Sequence, residues 1–162
     1  MRDARQQAQR DAKVRAEHRR FRTGLWHYFW RGDLPTLLTA PVIYTVAVPF
    51  ALLDAWVAVY QAICFRAWGI ARVRRRPYFA IDRHQLAYLN SAEKLNCMFC
   101  SYTNGLIAYV REVAARTEQY WCPIRHARRA RHPHERYEAF APYGDPLAYH
   151  HRLPRLRESL RK

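Results

Sequence analysis

Apolar residues fill the chain from Leu34 to Phe65, interrupted by a single charge at Asp54. About 20 apolar residues suffice for one helical crossing of a bilayer, so the run is long enough to enter one. As one straight helix it would extend roughly 48 Å against a hydrocarbon thickness of about 30 Å, and two full crossings do not fit. Pro41 and Pro49 lie inside it, each lacking a backbone donor and able to kink or break a helix. Two geometries follow: a kinked membrane-inserted helix with an interfacial extension, or a re-entrant helical hairpin bent at Pro49. Asp54 and Gln61, seven residues apart, share a helix face. An acid at membrane depth faces protein or water, unless it sits at headgroup level.

Helical periodicity returns further on. Leu95, Met98, Tyr102, Leu106, Tyr109 and Val113 step by three and four and form one apolar stripe. Glu93, Cys97, Cys100 and Asn104 step in the same way on the opposite face. Asp82 with Gln85 predicts a helix start, Asn104-Gly105 a break, and Pro123 the end of a second helix reaching Trp121. In the tail, Pro133 precedes a short helical piece over Glu135–Phe140. Asp145-Pro146 reads as cap and first turn before Leu147–Tyr149, and the basic end beyond is expected to fray. Residues 1–22 favour helix by composition. Between them and the apolar run, Leu25–Trp30 packs four aromatics that suit a membrane interface, and Asp33 reads as the cap of the run. The whole is mainly α: the membrane-inserted segment followed by a small α-helical module.

Charge divides the chain into blocks that the mean hydropathy of -0.47 conceals. Residues 1–33, a basic N-terminal arm, carry nine basic and four acidic groups, and the segment 34–65 carries only Asp54. Residues 66–81, a basic linker, hold five arginines and no acid. The block 82–126, which contains three of the four cysteines, is close to neutral, and the basic helical tail 127–162 again holds nine basic against four acidic groups. Of the total of +15, the arginines beside the apolar run suit anionic lipid headgroups and a cytoplasmic flank. Equal positive charge on both sides of the run places both flanks on one face of the membrane. Nucleic acid is the less favoured partner, because no known nucleic-acid module signature accompanies the charge. The N-terminus does not read as a cleavable signal, since its charged region is about 30 residues long and the apolar part exceeds the usual core of such a signal.

The candidate chemistry lies in the cysteines. Four are too few for a disulfide framework, and a Cys-x-x-Cys pair suits a reducing compartment. Cys97, Cys100, Cys122 and His126 have the residue types and short spacings of a structural zinc site. If residues 101–121 are one helix, however, Cys122 stands about 30 Å from Cys100, so closure requires a bend at Asn104-Gly105 or a second chain. The alternative is a redox pair of Cys97 and Cys100, although no βαβ pattern surrounds it. Inert packing of the thiols is the third reading. His132 and His134 could add ligands but sit in a basic loop. Glu112 and Glu118 read as partners of helix-surface arginines such as Arg116.

Four stretches resemble an uncharacterised family of small bacterial membrane-associated proteins. They are Pro49-Phe-Ala-Leu-Leu-Asp54, Tyr60-Gln-Ala-Ile-Cys-Phe65, Leu95-Asn-Cys-Met-Phe-Cys100 and Arg116-Thr-Glu-Gln-Tyr-Trp-Cys-Pro-Ile-Arg-His126. The family pattern has Tyr and Lys where this chain has Phe99 and Arg125. The resemblance covers about residues 34–126 and implies membrane association and a bacterial setting. The expected protein is a non-enzymatic accessory or scaffold subunit at the bacterial inner membrane, its soluble parts facing the cytoplasm. Lipid and other membrane subunits would be its partners and zinc its candidate metal. A membrane thiol oxidoreductase is the competing class, and a basic nucleic-acid-binding module comes third.

Overall fold

The computed structural model describes residues 34–128 and 131–161, together with residues 12–14, 16, 17, 21 and 24. The aromatic run Leu25–Trp30 and the proposed cap Asp33 lie outside the described residues. What is described is helical: α1 (Leu34–Thr45), α2 (Ala47–Tyr60), α3 (Ser91–Trp121) and α4 (Pro146–Glu158), with short 3-10 turns between. A single bridge, Ile124 to Ala141, is the only β pairing among the described residues.

The apolar run makes no hairpin at Pro49. Helix α2 passes through that residue, and one apolar helix of 31 residues, long enough to cross a membrane, extends over Leu38–Trp68. Pro49 lies in the first turn of α2, where its missing N–H is tolerated. The interruption falls one turn earlier, at Val46, because Pro49 cannot donate to the carbonyl of Thr45. Beyond Tyr60 the helix widens into a π turn, Gln61–Phe65, and ends at Gly69. That glycine sits at φ 68°, and the bonds Gly69 N to Arg66 O and Ile70 N to Phe65 O close a Schellman-type end.

The chain forms two compact units, which cut across the linear charge blocks: residues 1–49 with 79–104, and residues 50–78 with 105–162. In the first, the Tyr44 hydroxyl donates to Asn96 and its ring meets Phe99 edge-on at 6.1 Å. Asp82 precedes only a 3-10 turn, Arg83–Gln85, without a side-chain cap bond, and Leu86 leaves it extended. The helix starts at Ser91 instead. Asn90 and Glu93 bond each other's backbone N–H groups at 2.9 and 2.8 Å, a reciprocal capping box.

In the second unit the core holds Val57, Phe65, Ile70, Val73, Leu106, Tyr109, Val113, Tyr137, Phe140 and Leu160. The expected linker folds back into it: Ala71 N donates to Leu160 O at 2.7 Å, and Val73 N to the Gln61 side chain at 2.8 Å. The last described residues are likewise held, with Leu160 2% exposed. Asp145 caps α4 by accepting from Ala148 N, and the helix runs well past Tyr149. The predicted break at Asn104-Gly105 does not occur. Helix α3 is continuous there, and within it the Asn104 side-chain amide donates to the Cys100 carbonyl at 2.8 Å.

Candidate functional site

Within the second unit, the protein-facing side of α2 and the π turn that continues it carries two polar side chains. Asp54 is 9% and Gln61 0% exposed, and Val57 and Phe65 complete the buried face. Its outward residues are apolar: Leu52 is 66%, Trp56 74% and Ile63 64% exposed. A helix packed on a water-soluble core would leave few such large apolar side chains on its outer face. Each buried polar group is matched. The Arg75 guanidinium donates to both oxygens of Asp54 at 2.6 and 2.5 Å, a bidentate ion pair. Gln61 accepts from Val73 N and donates to the Tyr109 hydroxyl. That Asp54 and Gln61 share a helix face was legible from their spacing. The partner of Asp54 was not, because nothing local connects residue 54 to residue 75.

A second polar cluster ties α3 to the tail. Glu112 accepts from Arg116 Nε at 2.8 Å and from Arg136 Nη2 at 2.7 Å, and Arg136 also donates to Gln119 at 3.0 Å. Gln119 in turn donates to the Leu156 carbonyl at 2.7 Å. Burial alone would raise the Glu112 carboxyl, but the hydrogen bonds from Arg136 and Arg116 outweigh it and hold the group below the ordinary carboxylate range. Tyr78, beside it, is pushed upward by burial and by the Glu112 charge. Together with Arg111 and His134 these residues line a cavity of about 220 Å³. A carboxylate locked in its charged form and a phenol held protonated make a structural cluster, not a proton-transfer pair poised near neutrality. The expected pairing of Glu112 with Arg116 is present. Glu118 differs: its carboxylate meets His134 Nε2 at 2.9 Å, so that histidine is engaged within the fold.

The thiols are placed as follows. All four are free. Cys97, half-buried, and Cys100, exposed, lie within α3 beyond its first turn, whose free N–H groups would otherwise favour a thiolate. Cys122 follows the end of α3, where burial and then the Glu118 carboxylate push its thiol upward. A thiol kept protonated is a weaker metal ligand and nucleophile. The ring of His126 stacks on Tyr137 with centroids 5.7 Å apart, and its Nδ1 lies 3.1 Å from the Tyr137 hydroxyl. Cys97 and Cys100 belong to the first compact unit and Cys122 and His126 to the second, and the helix break expected between them at Asn104-Gly105 is absent. Among the described residues, no group of three or more His, Cys, Asp or Glu side chains is placed to hold a metal ion. Beside Cys122, an apolar cavity of about 540 Å³ is lined by Val57, Tyr60, Val113, Thr117 and Trp121.

No protein-family model, curated protein or solved structure matches the chain.

Proposed function

We propose that the protein is a membrane-attached accessory or scaffold subunit of a bacterial inner-membrane complex, anchored by residues 34–65, with its basic flanks on the cytoplasmic side. One observation carries this reading: the apolar helix Leu38–Trp68 buries Asp54 and Gln61 while exposing Leu52, Trp56 and Ile63. Exposed side chains of that character suit lipid or the apolar face of another membrane subunit, and the buried polar groups are those that hydrocarbon would exclude. The arginines of residues 66–76 support a cytoplasmic flank. The bacterial setting rests on the motif resemblance alone.

Cell fractionation tests the attachment. The protein should stay in the membrane pellet through an alkaline carbonate wash and leave it only with detergent. Recovery in the soluble fraction would overturn the reading. Native electrophoresis of the detergent extract tests the subunit role. A band well above the 19.4 kDa of one chain, containing other membrane proteins, is expected. Migration as a lone chain would remove the accessory role. Reporter fusions at the N-terminus and after Arg76 should both score cytoplasmic.

A further inference from the structure

We infer that residues 52–66 lie in the plane of the membrane surface, with Leu52, Trp56, Val59 and Ile63 inserted into one leaflet and the neighbouring arginines on its anionic headgroups. This rests on the membrane attachment proposed above and adds the depth, the orientation and the lipid class.

The ion pair of Asp54 sets the depth. A crossing by the helix Leu38–Trp68 would be centred on Leu53 and would put Asp54 at the bilayer midplane. Asp54, however, is held bidentately by Arg75, so the segment Arg74-Arg75-Arg76 must lie at the same level. Arg74 and Arg76 are exposed and the Arg75 side chain is 46% exposed. Exposed guanidinium groups do not stay in hydrocarbon, whereas they suit the headgroup layer. Asp54 therefore stands at headgroup level.

The pattern along the helix agrees. Leu52, Trp56, Val59 and Ile63 follow steps of four, three and four, one stripe along the helix, and all are at least 49% exposed. Arg66, also exposed, extends the series by three more and can lay its stem along the apolar surface while its head stays wet. Trp56, the most exposed of them, has the ring that prefers the interface to the hydrocarbon centre. On the opposite side Tyr60 bonds Thr117 at 2.8 Å and Gln61 bonds Tyr109, both on the stretch of α3 that also carries Arg111, Glu112 and Arg116. A stretch so charged keeps to the aqueous side. One face to lipid and one to a charged module is the geometry of an in-plane amphipathic anchor. The charge complementary to Arg66, Arg72, Arg74 and Arg76 is that of an anionic leaflet.

The test is a depth profile. Single spin labels at Leu52→Cys, Trp56→Cys, Val59→Cys and Ile63→Cys are placed in the full chain after Cys64, Cys97, Cys100 and Cys122 are changed to Ser. The labelled proteins are reconstituted into phosphatidylglycerol–phosphatidylcholine vesicles. Oxygen and nickel-chelate accessibility should place all four labels just below the headgroups, within about 5 Å of one depth, the pitch of a single turn. A graded depth, approaching the roughly 16 Å that eleven residues span along a crossing helix, would overturn the in-plane geometry while leaving membrane attachment intact. Labels fully accessible to the nickel chelate would overturn both. Replacing phosphatidylglycerol by phosphatidylcholine should lower flotation of freshly synthesised chain at least about tenfold, as befits several arginines near the surface. Equal flotation would overturn the anionic partner.

Discussion

Gln61 shows how much one side chain decides in this protein. It is fully buried, and both ends of its amide are used, accepting from Val73 N and donating to Tyr109. Gln61→Leu keeps the volume but leaves a buried backbone N–H without its acceptor. It should cost about 1–3 kcal/mol, read from thermal unfolding in detergent followed by circular dichroism. Glu112 offers a second test, through pH. Its folded carboxyl lies below its unfolded value of 4.5, so the unfolded chain takes up the proton first on acidification. The stability it contributes is complete above the unfolded value and is lost as pH falls through the folded one. Glu112→Gln should therefore lower stability at neutral pH and flatten the acid limb below about pH 4.5. An acid limb unchanged from the parent would show that the arginines around Glu112 do not act through its charge.

At the scale of elements, helix ends proved harder to read than helices. Gly69 stops the apolar helix because its backbone is left-handed, and the reversal there lets Val73 and Arg75 return to Gln61 and Asp54. A Cβ at this position would meet nothing closer than the end of Arg161 at 3.9 Å, so the cost of Gly69→Ala is conformational. About 1 kcal/mol is expected, with a fall in the melting temperature of several degrees. Asn104-Gly105 carries the letters of a helix stop, yet α3 runs on through it. Gly105 and Leu106 are both buried, and packing of that kind outweighs the modest helix penalty of one glycine. The start of α3 moved for the reverse reason: Asn90 with Glu93 makes the complete reciprocal cap that Asp82 with Gln85 does not.

On the scale of the molecule, the second unit is closed by its last residues. Leu160 is buried, its carbonyl accepts from Ala71 N, and Gln119 bonds both Leu156 and Ser159. Leu160→Ala should cost about 2–4 kcal/mol through lost burial and the void left behind. Protease sensitivity of the tail and the melting temperature would report it together. An unchanged melt would mean that the basic end contributes nothing to the fold. The same closure accounts for the difference between the charge blocks and the compact units. Net charge describes where water and headgroups are, while the units are defined by which segments share a core.

The sequence by itself determined that the chain is mainly α, that residues 34–65 form its most apolar segment, and that Asp54 and Gln61 share a face. Each follows from composition or from a period of 3.6, which are properties of neighbouring residues. The cap at Asp145 and the pair Glu112–Arg116 were legible for the same reason, since both act within one turn. Only the tertiary structure decided that Asp54 meets Arg75, that Gln61 receives Val73, that Glu112 gathers a second arginine at residue 136, and that the basic end is packed. Those contacts join residues 12 to some 90 positions apart, and a buried polar group accepts whichever partner the fold delivers. The cysteines mark the same boundary. Their spacing is local and suggested a metal, but whether ligands so far apart in the chain converge is a matter of tertiary packing, and the break expected at Asn104-Gly105 is replaced by continuous helix.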